Sequence, residues 1–101
     1  MTTAEPGANP PVANAGADQN VGTNVEFTLD ASGSSDIDGQ LLSYEWTLND
    51  EVVSTDETFT QNFVATGLYV YKLKVSDGNF TDTDQVTVVV GDAVDIINNG
   101  D

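Results

Sequence analysis

The chain has 101 residues, with 17 Asp and Glu against two lysines, no histidine and no cysteine, for a formal charge of -15. That length supports one core and leaves little room for an enzyme cleft. The charge excludes a phosphate-neutralising surface, so nucleic acid and anionic membranes are not expected partners, and zinc held by imidazole or thiolate is excluded with the missing residue types. Only oxygen ligands remain, which suit hard cations. Self-repulsion of this size places the domain where cations screen or bind it, as in seawater, brine or a calcium-containing exterior. No apolar run approaches the ~20 residues of a membrane span. Nor do the first residues read as a signal peptide, so any export signal is expected outside the chain.

Residues 1–10, "MTTAEPGANP", have the composition of a linker, and the domain is expected over 11–91. Apolar and polar residues then alternate at period two between turn clusters, which is an all-β pattern. A first strand is expected at 12–15 with an extension at 19–21, and a second in "VEFTLD" with Val25, Phe27 and Leu29 on one face. The third, "LSYEWTL", turns Leu42, Tyr44, Trp46 and Leu48 inward. A short fourth lies near Val52 and Val53, and the fifth is "TFTQNF". The sixth, "LYVYKLKV", buries Tyr69, Tyr71, Leu73 and Val75 and points Lys72 and Lys74 to water, and the seventh, "QVTVVV", buries Val86, Val88 and Val90. Seven strands in this order predict an immunoglobulin-like β-sandwich of two antiparallel sheets. Tyr69, at the start of the sixth strand, stands where a tyrosine corner forms, and Phe27, Trp46 and Tyr71 are expected to fill the centre that a disulfide occupies elsewhere. Residues 92–101 read as a C-terminal linker or the start of a following domain.

The blocks "PVANAGADQNV", "LDASGSSDIDG", "LSYEW", "GLYVYKLKVSDG" and "DTDQVTVVV" together resemble the PKD (polycystic kidney disease) domain over about residues 11–91. The resemblance implies an extracellular immunoglobulin-like module, secreted or at the cell surface. Such modules are repeated in surface proteins or attached to secreted collagenases, proteases and chitinases, where they act as non-catalytic spacers or accessory binding modules. One departure is the stretch "WTLNDE", where many members read "WDFGDG".

The acidic stretch "SSDIDG" at 34–39 is where a ligand is expected. Its spacing mimics an EF-hand with Ser34 at position 1 and Glu45 at position 12, but Glu45 belongs to a strand with Tyr44 and Trp46, so no helix-flanked loop can form. The sandwich offers another route, because the loop between its second and third strands, the turn between its last two strands and the start of its first strand meet at one end. Asp36 and Asp38, Asp77, and Asn14 come from those three segments, and with carbonyls and waters they can supply the six to eight oxygens of a Ca²⁺ site. Asp82 and Asp84 are reserve ligands. The resemblance adds that PKD domains of some secreted collagenases bind calcium at this end, and that Asn14, Asp36, Asp38 and Asp77 are the matching positions. The plainer reading makes both aspartates of the loop turn formers, with Gly39 supplying positive φ. The two readings are compatible.

Catalysis is not expected: paired carboxylates lack a second layer to form a pocket, and no base stands ready to activate Ser or Thr. Of the aromatic rings only Phe80 is expected at the surface, a weak platform for sugars. The expected role is therefore a monomeric accessory module that spaces neighbouring domains of its parent chain and makes weak protein or polysaccharide contacts, with calcium stiffening the end where the N-terminal linker joins. Two alternatives remain: a polysaccharide-targeting module assisting a secreted hydrolase, and a cell-adhesion module pairing through a sheet edge or apolar patch.

Overall fold

The computed structural model describes residues 9–91, so the readings of the two terminal segments fall outside it apart from Asn9 and Pro10. Seven strands follow one another: β1 (Gln19–Gly22), β2 (Phe27–Asp30), β3 (Ser43–Leu48), β4 (Glu51–Ser54), β5 (Thr58–Gln61), β6 (Gly67–Ser76) and β7 (Thr81–Gly91). They form a five-stranded sheet in the order β1-β7-β6-β3-β4 and a two-stranded sheet of β2 and β5. All pairings are antiparallel except β1 with β7, which is parallel.

Period-two alternation does the folding work. Along β6, Tyr71, Leu73 and Val75 are buried while Lys72 and Lys74 are exposed, and Val86, Val88 and Val90 of β7 share the inner layer. Phe27 and Leu29 close the core from the two-stranded sheet. Burying each such side chain contributes about 1.5–3 kcal/mol. The centre is aromatic: Trp46 and Phe59 lie 5.6 Å apart, Phe59 meets Tyr71 edge-on at 6.0 Å, and Phe27 meets Tyr71 at 6.3 Å. The polar ends of the rings are satisfied. Trp46 Nε1 donates to the Asp56 carbonyl at 3.0 Å and the Tyr71 hydroxyl to Gln61 Oε1 at 2.6 Å. Burial pushes that hydroxyl's pKa up to about 12.

The structure departs from the expected strands in two places, residues 12–15 and Val25, each for a local reason. Residues 12–15 form no strand. Val12 makes a single antiparallel bridge with Ser35, and the rest of that segment is held by side chains described below. Val25 is half exposed and lies outside β2, because a turn with Asn24 at φ 61° precedes it and Asn24 N–H donates to the Phe63 carbonyl. The short fourth strand pairs with β3 alone: Asn49 and Asp50 both take positive φ, the requirement of a two-residue hairpin, and fold β4 straight back onto its neighbour. A register shift opposite Trp46 and Thr47 and the flanking Asp50 and Glu51 blunt this exposed edge.

The tyrosine corner is present. Tyr69 Oη donates to the Ala65 carbonyl at 2.8 Å, four residues back across the β5–β6 turn. Tyr69→Phe removes that bond, and chemical denaturation is expected to show a loss of about 0.5–1.5 kcal/mol with an unchanged m-value.

This topology gives the domain two poles. The β2–β3 loop, the β6–β7 turn and residues 9–16 gather at one, which we call the N-terminal pole. The β1–β2 turn, the β5–β6 turn and Gly91 gather at the other, where Gly22 stands beside Gly91 and Gly67 beside Val90.

Candidate metal centre

At the N-terminal pole two turns are each built around an aspartate. Asp36 Oδ1 accepts from Asp38 N–H at 2.7 Å, and Gly39 N–H, at φ 74°, donates to the Asp36 carbonyl. Asp77 Oδ1 accepts from Asn79 and Phe80 N–H, both at 2.8 Å, closing the β6–β7 turn. Asp is well suited to this, since its short carboxylate reaches backbone amides two and three residues on. Asp38 accepts from Asn9 and from no turn amide, so the turn-former reading of the two loop aspartates holds for one oxygen of Asp36 alone, and it extends to one oxygen of Asp77.

The other oxygens have no such account. Asp36 Oδ2 and Asp77 Oδ2 are both buried without a hydrogen-bond partner, and Asp77 as a whole is only 6% exposed. The two carboxyls lie close enough to alter each other's acidity. Burial, then the neighbouring Asp77, pushes Asp36 above the usual carboxylate range. The two turn amides, from Phe80 and Asn79, hold Asp77 below it. Two neighbouring like charges whose Oδ2 atoms are shielded and unpartnered are costly, and a cation or a shared proton relieves that cost.

The remaining expected ligands point elsewhere. Asp38 accepts from Asn9, from its backbone N–H at 3.0 Å and its side-chain Nδ2 at 3.2 Å. Asn14 Oδ1 accepts from Gly16 N–H at 2.9 Å, and its amide lies over Gly33, where an added Cβ would stand 2.8 Å from Nδ2. Among the described residues no group of three or more acidic side chains is gathered closely enough to hold an ion. The structure therefore brings Asp36 and Asp77 together, with Asp38 and Asn14 on adjoining segments.

Asp82 and Asp84 have a role the sequence reading missed. They share strand parity with the buried Val86, Val88 and Val90, and their Oδ2 atoms accept from Ala13 and Ala15 N–H, each at 2.8 Å. With Ser34 Oγ accepting from Asn14 N–H at 2.9 Å, they hold the incoming segment where a strand ladder is absent. The signal was available: carboxylates on the inner row of a strand need donors, and an unpaired segment has donors to give. Asp84→Ala leaves the Ala15 amide buried without an acceptor, and a loss of about 1–3 kcal/mol is expected by denaturant titration.

Fold and pole together define a small immunoglobulin-like module whose polar chemistry lies in loops at one end. Residues 8–90 match the family profile of the PKD domain. The chain belongs to the PKD domain family. It is 33% identical over 85 residues to the collagenase ColA of Clostridium perfringens, an alignment that covers 81% of this chain and 8% of the collagenase. Among solved structures it resembles a nucleoside hydrolase-related protein from Saccharophagus degradans associated with carbohydrate metabolism. The TM-score there is 0.66 at 25% identity, over 81% of this chain and 26% of the other. The human KIAA0319 PKD domain superposes with a TM-score of 0.60 at 24% identity, over 83% of each chain. The chain thus spans a small part of the collagenase it matches, and the family places it as an accessory module in a larger protein with neighbouring domains.

Proposed function

We propose that this domain is a non-catalytic extracellular module that sets the spacing of its neighbours in a secreted or surface protein, and that Ca²⁺ taken up at the N-terminal pole stiffens it. The observation that carries the reading is the pair of buried, partnerless oxygens of Asp36 and Asp77. Their chemistry suits a hard, oxygen-preferring cation, and Mg²⁺, which demands a near-ideal octahedron, fits pooled loop carboxylates less well. Asp36 and Asp77 would hold the ion, with Asp38 and Asn14, on adjoining segments, the side chains expected to join them. Such an ion cancels the repulsion between the two turns and ties them together beside the incoming segment.

The topology supports the spacing role. The chain arrives at one pole, where Asp38 grips Asn9, and reaches Gly91 at the other, so neighbours on either side are held apart by the length of the sandwich. Direct polysaccharide binding is a second reading, supported by Phe80, which is 42% exposed in the turn that follows Asp77. A single ring makes it the weaker one. Small-angle scattering of this domain joined to its preceding neighbour tests the first reading. A narrower distance distribution is expected in Ca²⁺ than in chelator at equal ionic strength, and identical curves would rule out cation stiffening.

A further inference from the structure

Of the chain's asparagines only Asn79 is followed two positions on by Ser or Thr, in "DGNFT" at 77–81, and the residue between is not proline. That triplet is the acceptor sequence for N-linked sugars, in which the Asn side-chain amide takes the sugar and the hydroxyl two residues on is read by the transferase. The structure sets it at the tip of the β6–β7 turn. Asp77 N–H donates to the Phe80 carbonyl at 3.1 Å and Gly78 takes φ 99°, so Gly78 and Asn79 are the two residues that reverse the chain. Asn79, Phe80 and Thr81 are all exposed. Asn79 commits only its backbone N–H to the turn, in the bond to Asp77 Oδ1, and among the described residues its side chain has no hydrogen-bond partner. Asn9 and Asn14, at the same pole, differ: their side chains are engaged with Asp38 and Gly16. Thr81 opens β7 opposite Ser76, at the end of the strand pair nearest the tip.

We propose that Asn79 is an N-glycosylation site, and that its sugar stands on the N-terminal pole beside the segment by which the chain enters the domain. The inference rests on the extracellular-module reading, since such transfer takes place on exported chains, and adds a covalent modification to it. The donor is an oligosaccharide carried on a lipid diphosphate. Asn79 Nδ2 forms a bond to the anomeric carbon of the first sugar, and the bond from that carbon to the diphosphate oxygen breaks. The proton lost from the amide balances the charge left on the diphosphate, and nothing is oxidised or reduced. The fold accommodates the product, because the turn is held by the Asn79 and Phe80 amides on Asp77 Oδ1 and by the Asp77–Phe80 backbone bond, none of which uses the Asn79 side chain. Phe80, 42% exposed and next to the acceptor, offers an apolar surface to the C–H face of the first sugar. The exposed ring then has its partner in the chain's own sugar. A hydrated branch at this tip also keeps a preceding domain from packing flat against the turn, which serves spacing.

Mass mapping of the parent protein, recovered from the cells that make it, tests the proposal. Cleavage after Lys74 gives a peptide that begins at Val75, and it is expected to carry one oligosaccharide on Asn79, with the bare peptide a minor form. Asn79→Gln and Thr81→Ala, made in the same cells, should each lose that mass, whereas Thr81→Ser, which keeps the hydroxyl, should retain it. All three positions of change are exposed, and circular dichroism like that of the wild type would show that the losses are not failures to fold. A bare Asn79 in protein recovered outside the cell, sugar found only on hydroxyls, or sugar retained in Thr81→Ala would overturn the proposal and leave the extracellular reading standing. Protein found only inside the cell would overturn both. The readout is a mass at one residue, so it is independent of whether Ca²⁺ binds at the same pole.

Discussion

Trp46→Ala is expected to lower stability by about 3–5 kcal/mol, the range for truncating a large buried aromatic. Trp46 is fully buried, packs 5.6 Å from Phe59 and donates to the Asp56 carbonyl, so the change opens a cavity between the sheets and strips the β4–β5 connection of its anchor. Domains of this size have only about 5–15 kcal/mol in total, and this chain works against its own charge of -15. The variant should therefore be partly unfolded in low salt and recover in high salt. Circular dichroism across a salt series checks this. A melt like that of the wild type would mean that Trp46 does not anchor the core.

The second large effect concerns the carboxylate pair. Asp77→Asn keeps an Oδ1 acceptor for the Asn79 and Phe80 amides and removes the charge beside Asp36, so two opposite outcomes are expected in one protein. In chelator the variant should melt higher than the wild type. In Ca²⁺ it should fail to gain. The sign follows from the direction of the shifts. Asp36 is raised in the fold, so its favourable contribution is complete below its unfolded value and is lost as pH rises through the raised one, where the two carboxylates begin to repel. Asp77 is lowered, so its contribution is present above its unfolded value and is lost only as pH falls through the lowered one. Near neutrality without a cation, the cost at Asp36 is therefore in force while the benefit at Asp77 is intact. For the same reason the wild-type response to Ca²⁺ should weaken in mild acid, as protons compete for Asp36. Asp36→Asn should give the same pattern, and a Ca²⁺ response surviving in both variants would locate the ion elsewhere.

Much of this was legible in the sequence, and the parts that were not share a cause. Alternation in "LYVYKLKV" and "QVTVVV" assigned inner and outer faces correctly, because a strand's period of two leaves no freedom once one face is buried. Tyr69 could be placed at its corner from position alone. The partner of β4 could not, since the choice between sheets lay with Asn49 and Asp50 adopting positive φ, which spacing does not reveal. Val25 reads as strand because the alternation runs through it, but the turn at Asn24 just before it delays the start of β2 to Phe27.

At the N-terminal pole, topology was enough to bring the turns of Asp36 and Asp77 together. The present partners of Asp38 and Asn14 depend on which amides their short side chains meet, Asn9 and Gly16, and loop sequence does not specify that. Asp82 and Asp84 were readable as inward-facing, and the missing step was to ask which donors they satisfy.

The most direct test of cation stiffening is a pair of thermal melts of the unmodified chain, in excess chelator and in millimolar Ca²⁺, at one ionic strength so that general screening of the negative charge is the same in both. Ligand at a hundred times its Kd adds about 2.7 kcal/mol, which for a domain of this size raises Tm by roughly 10 to 20 °C. A clear rise that disappears in Asp36→Asn is the result this account predicts. Superimposable melts would contradict it and leave the two aspartates as turn formers whose second oxygens are simply unpaired.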